Sequence, residues 1–113
     1  MEIQERIKEA VQNHQVLLFM KGTPDFPQCG FSSRTVQALQ ACGAEFAAVD
    51  VLADDDVRQG IKDFSQWPTV PQLYINGEFI GGCDIVMDMY ENGSLKEKLQ
   101  SSEPDSEQNT DKA

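Results

Sequence analysis

The chain has 113 residues, of which 40% are apolar and 25% are charged, as is typical of a single globular domain. Its 19 acidic and 9 basic residues give a net charge of -10, which argues against nucleic-acid binding, because phosphate backbones require cationic partners. No apolar run approaches the ~18 residues that span a bilayer, and the N-terminus lacks a basic flank and an apolar signal core. We therefore expect one domain with no nucleic-acid or membrane partner.

The use of cysteine indicates the compartment. The chain has three cysteines, Cys29, Cys42 and Cys83, which are odd in number and widely spaced. Such a set does not make a disulfide framework and fits a reducing compartment. We therefore expect a cytoplasmic protein with at least one free thiol.

The first half of the chain alternates between helical and extended patterns. Apolar residues at helical spacing predict an amphipathic helix from residue 3 to about residues 13–14. The wholly apolar run Val16–Met20 predicts a strand that is buried on both faces of a sheet. Two prolines make residues 23–28 a loop, and a second helix is expected over residues 32–41, before Gly43.

The second half of the chain predicts one more crossover and then a hairpin. Residues 46–51 have the pattern of a strand, and the acids Asp54–Asp56 supply N-terminal charges for a third helix. Residues 72–75 and 78–80 are short apolar strands joined by Asn76-Gly77, the strongest short-range signal for a two-residue hairpin. The sheet is therefore expected to end with an antiparallel pair.

The C-terminal part is helical and then polar. Asp84 opens a helix that is expected to stop at Gly93, and Leu95 and Leu99 mark a last short helix. Residues 101–113 contain no large apolar side chain and so have nothing to bury in a core. We expect a globular domain over residues 1–100 and a disordered acidic tail over residues 101–113.

The predicted order of elements indicates the fold class. A parallel strand–helix–strand unit precedes a hairpin, and helices come before, between and after the strands. This order fits the α/β class, with a mixed four-stranded sheet flanked by helices. It resembles the plan of the thioredoxin-like fold, and nothing along the chain indicates an internal repeat or a second folded domain.

Cys29 lies at or just before the predicted N-terminus of the second helix. Unpaired backbone amides and the helix dipole favour the thiolate there, and the polar flanking residues argue against an inert, buried cysteine. We therefore expect Cys29 to be a nucleophile or a metal ligand. By contrast, Cys42 lies late in the same helix beside Ala41 and is expected to serve packing.

Ser32 occupies the position of the second cysteine in a dithiol Cys-x-x-Cys motif. Serine cannot resolve a mixed disulfide by attacking within the motif. Cys29 must therefore use a substrate thiol or another cysteine, such as Cys83, or it must act outside redox exchange.

Several short motifs occur in order along the chain. They are Lys21-Gly22-Thr23, Pro27, Cys29-Gly30-Phe31-Ser32, Trp67-Pro68-Thr69-Val70-Pro71-Gln72 and Gly81-Gly82-Cys83-Asp84. In order and spacing they resemble the motifs of the monothiol glutaredoxins, and the similarity covers nearly all of residues 1–100. The resemblance implies a thioredoxin-like fold, bound glutathione and a role in iron–sulfur cluster assembly.

The resemblance also implies where glutathione binds. Lys21 and Arg58 would meet its glycine carboxylate, the backbone amide of Cys83 its glutamyl carboxylate, and Asp84 its glutamyl ammonium group. Without the other motifs, Lys21 would be interpreted as a solvated lysine at the end of a strand. Asp84 would be interpreted as the N-cap of the following helix, although one carboxylate can do both jobs.

Val70 and Pro71 offer a backbone contact for the same ligand. An X-Pro bond is cis at small cost, and a cis proline turns the preceding amide away from its own sheet. The resemblance implies that Val70 then pairs with glutathione, whose sulfur would lie beside Cys29. The alternative is an ordinary turn proline before a strand.

Cys29 alone cannot hold an iron–sulfur cluster, because a two-iron cluster generally takes four thiolates. Two copies of Cys29 and two glutathione sulfurs would complete the set, which suggests a homodimer bridged by a labile 2Fe-2S cluster, as the resemblance also implies. Such a protein would store and transfer clusters. The resemblance further implies a BolA-like partner and delivery to apo iron–sulfur proteins.

Two other functions stay open at this point. One is a glutathione-dependent thiol–disulfide oxidoreductase, which would remove glutathione from protein mixed disulfides through Cys29. The sequence therefore does not decide whether the protein is an enzyme. A redox-sensing module would use a Cys29–Cys83 disulfide, which requires bonding geometry between the two sulfurs. The inserted segment 23–27 resembles that of the cluster carriers and favours the carrier over the oxidoreductase.

Overall fold

The computed structural model describes residues 2–101 and arranges them as helices around a four-stranded sheet. The helices are α1 (Ile3–Asn13), α2 (Gly30–Ala41), α3 (Asp55–Ser65), α4 (Cys83–Asn92) and α5 (Ser94–Ser101). The strands are β1 (Val16–Met20), β2 (Ala47–Asp50), β3 (Gln72–Ile75) and β4 (Glu78–Gly81). None of these helices is long and apolar enough to cross a membrane. Beyond Ser101, the predicted tail lies outside the described residues.

The strands follow one another across the sheet in the order β2-β1-β3-β4. β1 is parallel to β2 and antiparallel to β3, and β3 is antiparallel to β4. Leu18, at the centre, pairs with Ala48 on one side and Leu73 on the other. Asn76 and Gly77 both have positive φ, as the tightest hairpin turns require. The predicted mixed sheet and its antiparallel end are therefore confirmed.

Helices cover both faces of the sheet, and β1 contributes side chains to two cores. One core contains Leu18 and Met20 with buried residues of α2, α4 and α5: Val36, Leu39, Val86, Leu95 and Leu99. The other contains Leu17 and Phe19 with buried residues of α1 and α3: Ile7, Val11, Val57 and Ile61. Because each face needs apolar partners, β1 has no polar position. α3 and α4 therefore lie on opposite faces of the sheet.

Several boundaries differ by one or two residues from those predicted, among them the start of α2 and the end of β2. α2 begins at Gly30, two residues before the predicted start, because Cys29 itself is the extended N-cap residue. β2 ends at Asp50 rather than at Val51. The carboxylate of Asp50 accepts a hydrogen bond from the amide of Leu52 at 2.9 Å, which turns the chain into a short 3-10 helix, Val51–Ala53.

The start of α4 corrects the alternative interpretation of Asp84 as an N-cap. The N-cap is Gly82, and Asp84 is the second residue of the helix, so the N-cap interpretation is wrong. Gly82 suits this position because a Cβ atom there would lie 3.3 Å from both the Pro71 carbonyl oxygen and the Trp67 indole nitrogen. The carboxylate of Asp84 is exposed in the first turn, where the helix dipole favours an acid.

Candidate functional site

Cys29 is half-buried and is the N-cap residue of α2. A hydrogen bond from the backbone amide of Ser32 is the largest influence that holds the pKa of Cys29 below its ordinary value of 9.0. Burial acts in the opposite direction, while the Phe31 amide, the charge of Lys21 and the Ser32 hydroxyl lower the pKa further. The thiolate predicted from the helix position therefore has specific donors.

Ser32 is fully buried and holds the neighbouring loop to α2. Its hydroxyl oxygen accepts a hydrogen bond from the backbone amide of Lys21 at 3.1 Å, and the hydroxyl also lowers the pKa of Cys29. Ser32, the last residue of the Cys-x-x-Ser motif, thus links the Cys29 thiol to Lys21, whose charge also lowers the pKa of that thiol.

The loop between β1 and α2 is closed on itself and fastened to β2. The amide of Gln28 donates to the Lys21 carbonyl at 2.9 Å, and Gly22 forms an isolated bridge with Pro27. The amide of Gly22 donates to the carboxylate of Asp50 at 2.9 Å. This loop therefore fixes Lys21 at one end and leads directly into Cys29 at the other.

The predicted site residues come together around one cavity of about 490 Å³. Those that line it are Lys21, Cys29, Arg58, Val70, Cys83 and Asp84. Val70 and Cys83 are buried, whereas Arg58 and Asp84 are exposed. The Val70-Pro71 peptide bond is cis, so that the alternative of an ordinary turn proline does not describe it. Residues from five separate parts of the sequence thus meet at one concave surface.

The charges around the cavity are divided between two helices. Arg58 belongs to α3, on one face of the sheet, and Asp84 belongs to α4, on the other. Lys21 adds a second cation beside Cys29. The cavity can therefore accept a ligand that carries carboxylates and one ammonium group, with a thiol near its middle.

Sequence reasoning assigned no site role to several other residues that line the cavity, of which three bear on its chemistry. Lys62 lies four residues after Arg58, so that the two cations share one face of α3. Phe31 and Trp67 contribute aromatic surface, and Phe31 is 56% exposed. The spacing of Arg58 and Lys62 was a usable signal for a second cation on α3, and both aromatic residues stood inside quoted motifs without a role of their own.

The three cysteines are free thiols. Cys83 is buried and lines the same cavity as Cys29, whereas Cys42 packs against the core beneath α2, as predicted. Within residues 2–101, no group of three or more His, Cys, Asp or Glu side chains is placed to hold a metal ion. A metal or cluster at Cys29 would therefore need ligands from beyond the described residues.

Comparison with known proteins bears on this geometry. The glutaredoxin family model matches residues 16–80, which contain Cys29 and the Val70-Pro71 bond. The chain is 54% identical over 99 residues to monothiol glutaredoxin-S7 of rice, covering 88% of the chain. It is 52% identical over 99 residues to a monothiol glutaredoxin of Synechocystis, covering 88% of the chain and 92% of that protein. It spans only 59% of the rice protein and 20% of monothiol glutaredoxin-S17 of Arabidopsis, its match there being 54% identical.

Comparison with solved structures leads to the same family. The solution structure of reduced poplar apo GrxS14 superposes with a TM-score of 0.78 at 47% identity, covering 90% of this chain and 97% of that one. The chain therefore belongs to the glutaredoxin family, and the single cysteine of its Cys29–Ser32 motif agrees with its match to the monothiol glutaredoxins.

Proposed function

We propose that this protein binds glutathione in the cavity beside Cys29 and holds a labile 2Fe-2S cluster, which it stores and passes to apo iron–sulfur proteins. The observation that carries the proposal is the union, in one cavity, of the Cys29 thiol with cations from one side of the sheet and the Asp84 carboxylate from the other. These are the groups that a tripeptide with two carboxylates, an ammonium group and a thiol requires.

Each end of glutathione has a partner in this arrangement. Lys21 and Arg58 bind its glycine carboxylate, and Lys62 strengthens the positive potential beside them. The amide of Cys83, at the first position of α4, binds the glutamyl carboxylate, and Asp84 binds the glutamyl ammonium group. The backbone of Val70 pairs with the central residue of glutathione.

The cluster is cargo that two subunits hold together. One chain supplies Cys29, and the described residues offer no group of three metal-ligating side chains, so that further ligands must come from elsewhere. Two copies of Cys29 and two glutathione sulfurs make the four thiolates that a two-iron cluster takes. Diffusible ligands make the cluster easy to release, as transfer to an apo-protein or to a BolA-like partner requires. A reducing compartment such as the cytoplasm would keep Cys29 free.

The orientation of glutathione can be tested by shortening the ligand. A charged hydrogen bond at an exposed carboxylate is worth about 1 kcal/mol, or about fivefold in Kd. We expect Asp84→Asn to weaken glutathione by about fivefold and to leave cysteinylglycine unchanged, because that dipeptide lacks the glutamyl ammonium group. Lys21→Gln is expected to weaken both ligands. Titrations followed by NMR measure six affinities, those of the wild type and the two variants for each ligand, and an equal loss for both ligands in Asp84→Asn would contradict the orientation.

Anaerobic reconstitution separates the carrier from the oxidoreductase. With iron, sulfide and glutathione we expect a coloured protein, and we expect no colour in Cys29→Ser or without glutathione. The oxidoreductase stays the second candidate, because a lowered pKa of Cys29 also suits a nucleophile. Efficient turnover of a glutathione mixed disulfide by protein that forms no cluster would favour that activity instead.

A further inference from the structure

Gln72 is a polar side chain with no exposed surface, at the start of β3. Its amide nitrogen donates to the backbone carbonyl of Trp67 at 3.2 Å and to that of Thr69 at 3.1 Å. Its amide oxygen accepts from the hydroxyl of Tyr74 at 3.2 Å. Both ends of this side chain are therefore committed to named partners.

The chemistry of these partners fixes which way the amide points. Backbone carbonyl oxygens only accept, so the nitrogen of Gln72 must face Trp67 and Thr69. Burial raises the pKa of Tyr74 to about 12, while a hydrogen bond with Ser65 acts in the opposite direction. The phenol thus keeps its proton near neutral pH and remains a donor. A buried polar group without a partner destabilises the fold, so that the loss of any one of the three hydrogen bonds would leave a group of this network unsatisfied.

The segment that Gln72 holds is one side of the cavity. Residues 67–71 all line it, and they include Val70 with its cis bond to Pro71. The other end of this segment is also fastened, because the amide of Trp67 donates to the hydroxyl of Ser65 at 3.1 Å. That hydroxyl donates in turn to the carbonyl of Ile61 in α3 at 2.9 Å.

We propose that Gln72 is a positioning residue for the ligand of this cavity: through the carbonyls of Trp67 and Thr69 it holds segment 67–71 so that Val70 presents its backbone to glutathione. This inference rests on the proposed binding of glutathione and deepens it. Gln72 does not itself line the cavity, and it acts through the segment that does. Loss of its two donors leaves segment 67–71 without its inner support and lowers the affinity for glutathione.

A glutamine that only stabilised the fold would have a different signature. Gln4 offers a matched control, because its amide nitrogen donates to the carbonyl of Gly60 at 3.0 Å, between α1 and α3, and it does not line the cavity. Gln72→Met and Gln4→Met make the same replacement and remove bonds of the same kind. Tyr74→Phe keeps the aromatic ring and removes only the donor to Gln72.

The experiment measures glutathione affinity, thermal unfolding and quenching of Trp67 fluorescence by acrylamide in these three variants. Trp67 is the only tryptophan of the chain and lies within the segment in question, so its quenching reports on that segment. We expect Gln72→Met to raise the Kd for glutathione by about tenfold and to increase quenching in the free protein. Tyr74→Phe should raise the Kd for glutathione by about twofold. Gln4→Met should leave the Kd and the quenching of Trp67 unchanged, even if its unfolding temperature falls.

An affinity and a quenching in Gln72→Met equal to those of Gln4→Met would overturn the inference. If Gln72→Met does not fold, Tyr74→Phe decides, and an unchanged Kd in that variant overturns the inference as well. Failure of the wild-type protein to bind glutathione would sink the proposed function instead. In that case the quenching of Trp67 in Gln72→Met decides whether Gln72 holds segment 67–71. Increased quenching would support this role, and unchanged quenching would overturn it.

Discussion

The pKa of Cys29 is lowered mainly by the backbone that follows it. The amides of Ser32 and Phe31 and the hydroxyl of Ser32 stabilise the negative sulfur, and the charge of Lys21 adds to them against the cost of burial. A helix N-terminus always offers such amides, but here the amide of residue 32 is the largest influence. The side chain at that position makes a smaller contribution and fastens the neighbouring loop.

The pH dependence of alkylation tests this description of Cys29. The rate of labelling by iodoacetamide follows the fraction of thiolate, and because the pKa is lowered we expect its midpoint below pH 9.0. As the pH falls through the lowered pKa, the thiolate is protonated and labelling declines. Ser32→Ala should move the midpoint upward without restoring 9.0, because the amide of residue 32 remains. Mass spectrometry of the Cys29 peptide measures the rate, and a midpoint at or above 9.0 in the wild type would contradict the donors assigned here.

At this scale the sequence predicted six residues that line one cavity and missed several others. Cys29 was predicted from its place at a helix N-terminus, and the resemblance to the monothiol glutaredoxins supplied the other five residues. Lys62 has no motif of its own, and its only signal in the sequence was its spacing of four residues from Arg58. The bonds of Gln72 could not be predicted either, because they join the start of a strand to the preceding turn.

The loop of residues 21–28 is the element that delivers both Lys21 and Cys29. Gly22 is required within it, since its φ is +89° and a Cβ atom would lie 2.5 Å from the carbonyl oxygen of Phe26 and 2.7 Å from the amide nitrogen of Gln28. Because these neighbours are backbone atoms, a side chain at Gly22 would force the loop itself to change its conformation. The conformation of this loop therefore depends on the absence of one side chain.

Comparison of two glycines tests that dependence. Gly43 also has a positive φ, +73°, but nothing lies within 4 Å of a Cβ atom built there. We expect Gly43→Ala to cost about 1 kcal/mol from the backbone conformation alone. Gly22→Ala should cost more than about 3 kcal/mol, because steric overlap adds to the same strain, and it should weaken glutathione. Chemical denaturation measures both free energies of unfolding, and equal losses would contradict the importance of the close contact.

The helices and strands were predicted more closely than their ends. β1 and β3 have the predicted bounds, because a wholly apolar run and a hairpin signal leave little choice. The start of α4 could not be found in the same way. Asp84 has the side chain of a good N-cap, but Gly82 takes the position, where a Cβ atom would be in tight contact with backbone and indole atoms at 3.3 Å.

At the scale of the whole molecule, the site depends on a sheet that is covered by helices on both faces. α3 lies on one face and α4 on the other, and residues of both helices line the same cavity. The element order alone predicted that sheet, whereas the division of charges between its faces needed the structure. The chain also carries a net charge of -10, which disfavours the association of two copies. A dimer of this protein should therefore depend on the cluster that bridges it.

Native mass spectrometry of protein reconstituted anaerobically with iron, sulfide and glutathione tests most directly whether Cys29 supplies one ligand in four. We predict an assembly of two chains, two glutathione molecules, two iron ions and two sulfide ions, which dissociates to single chains when the iron is chelated. The Cys29→Ser variant should remain a single chain without iron. A monomer that carries a cluster, or a cluster retained by Cys29→Ser, would contradict the proposed site.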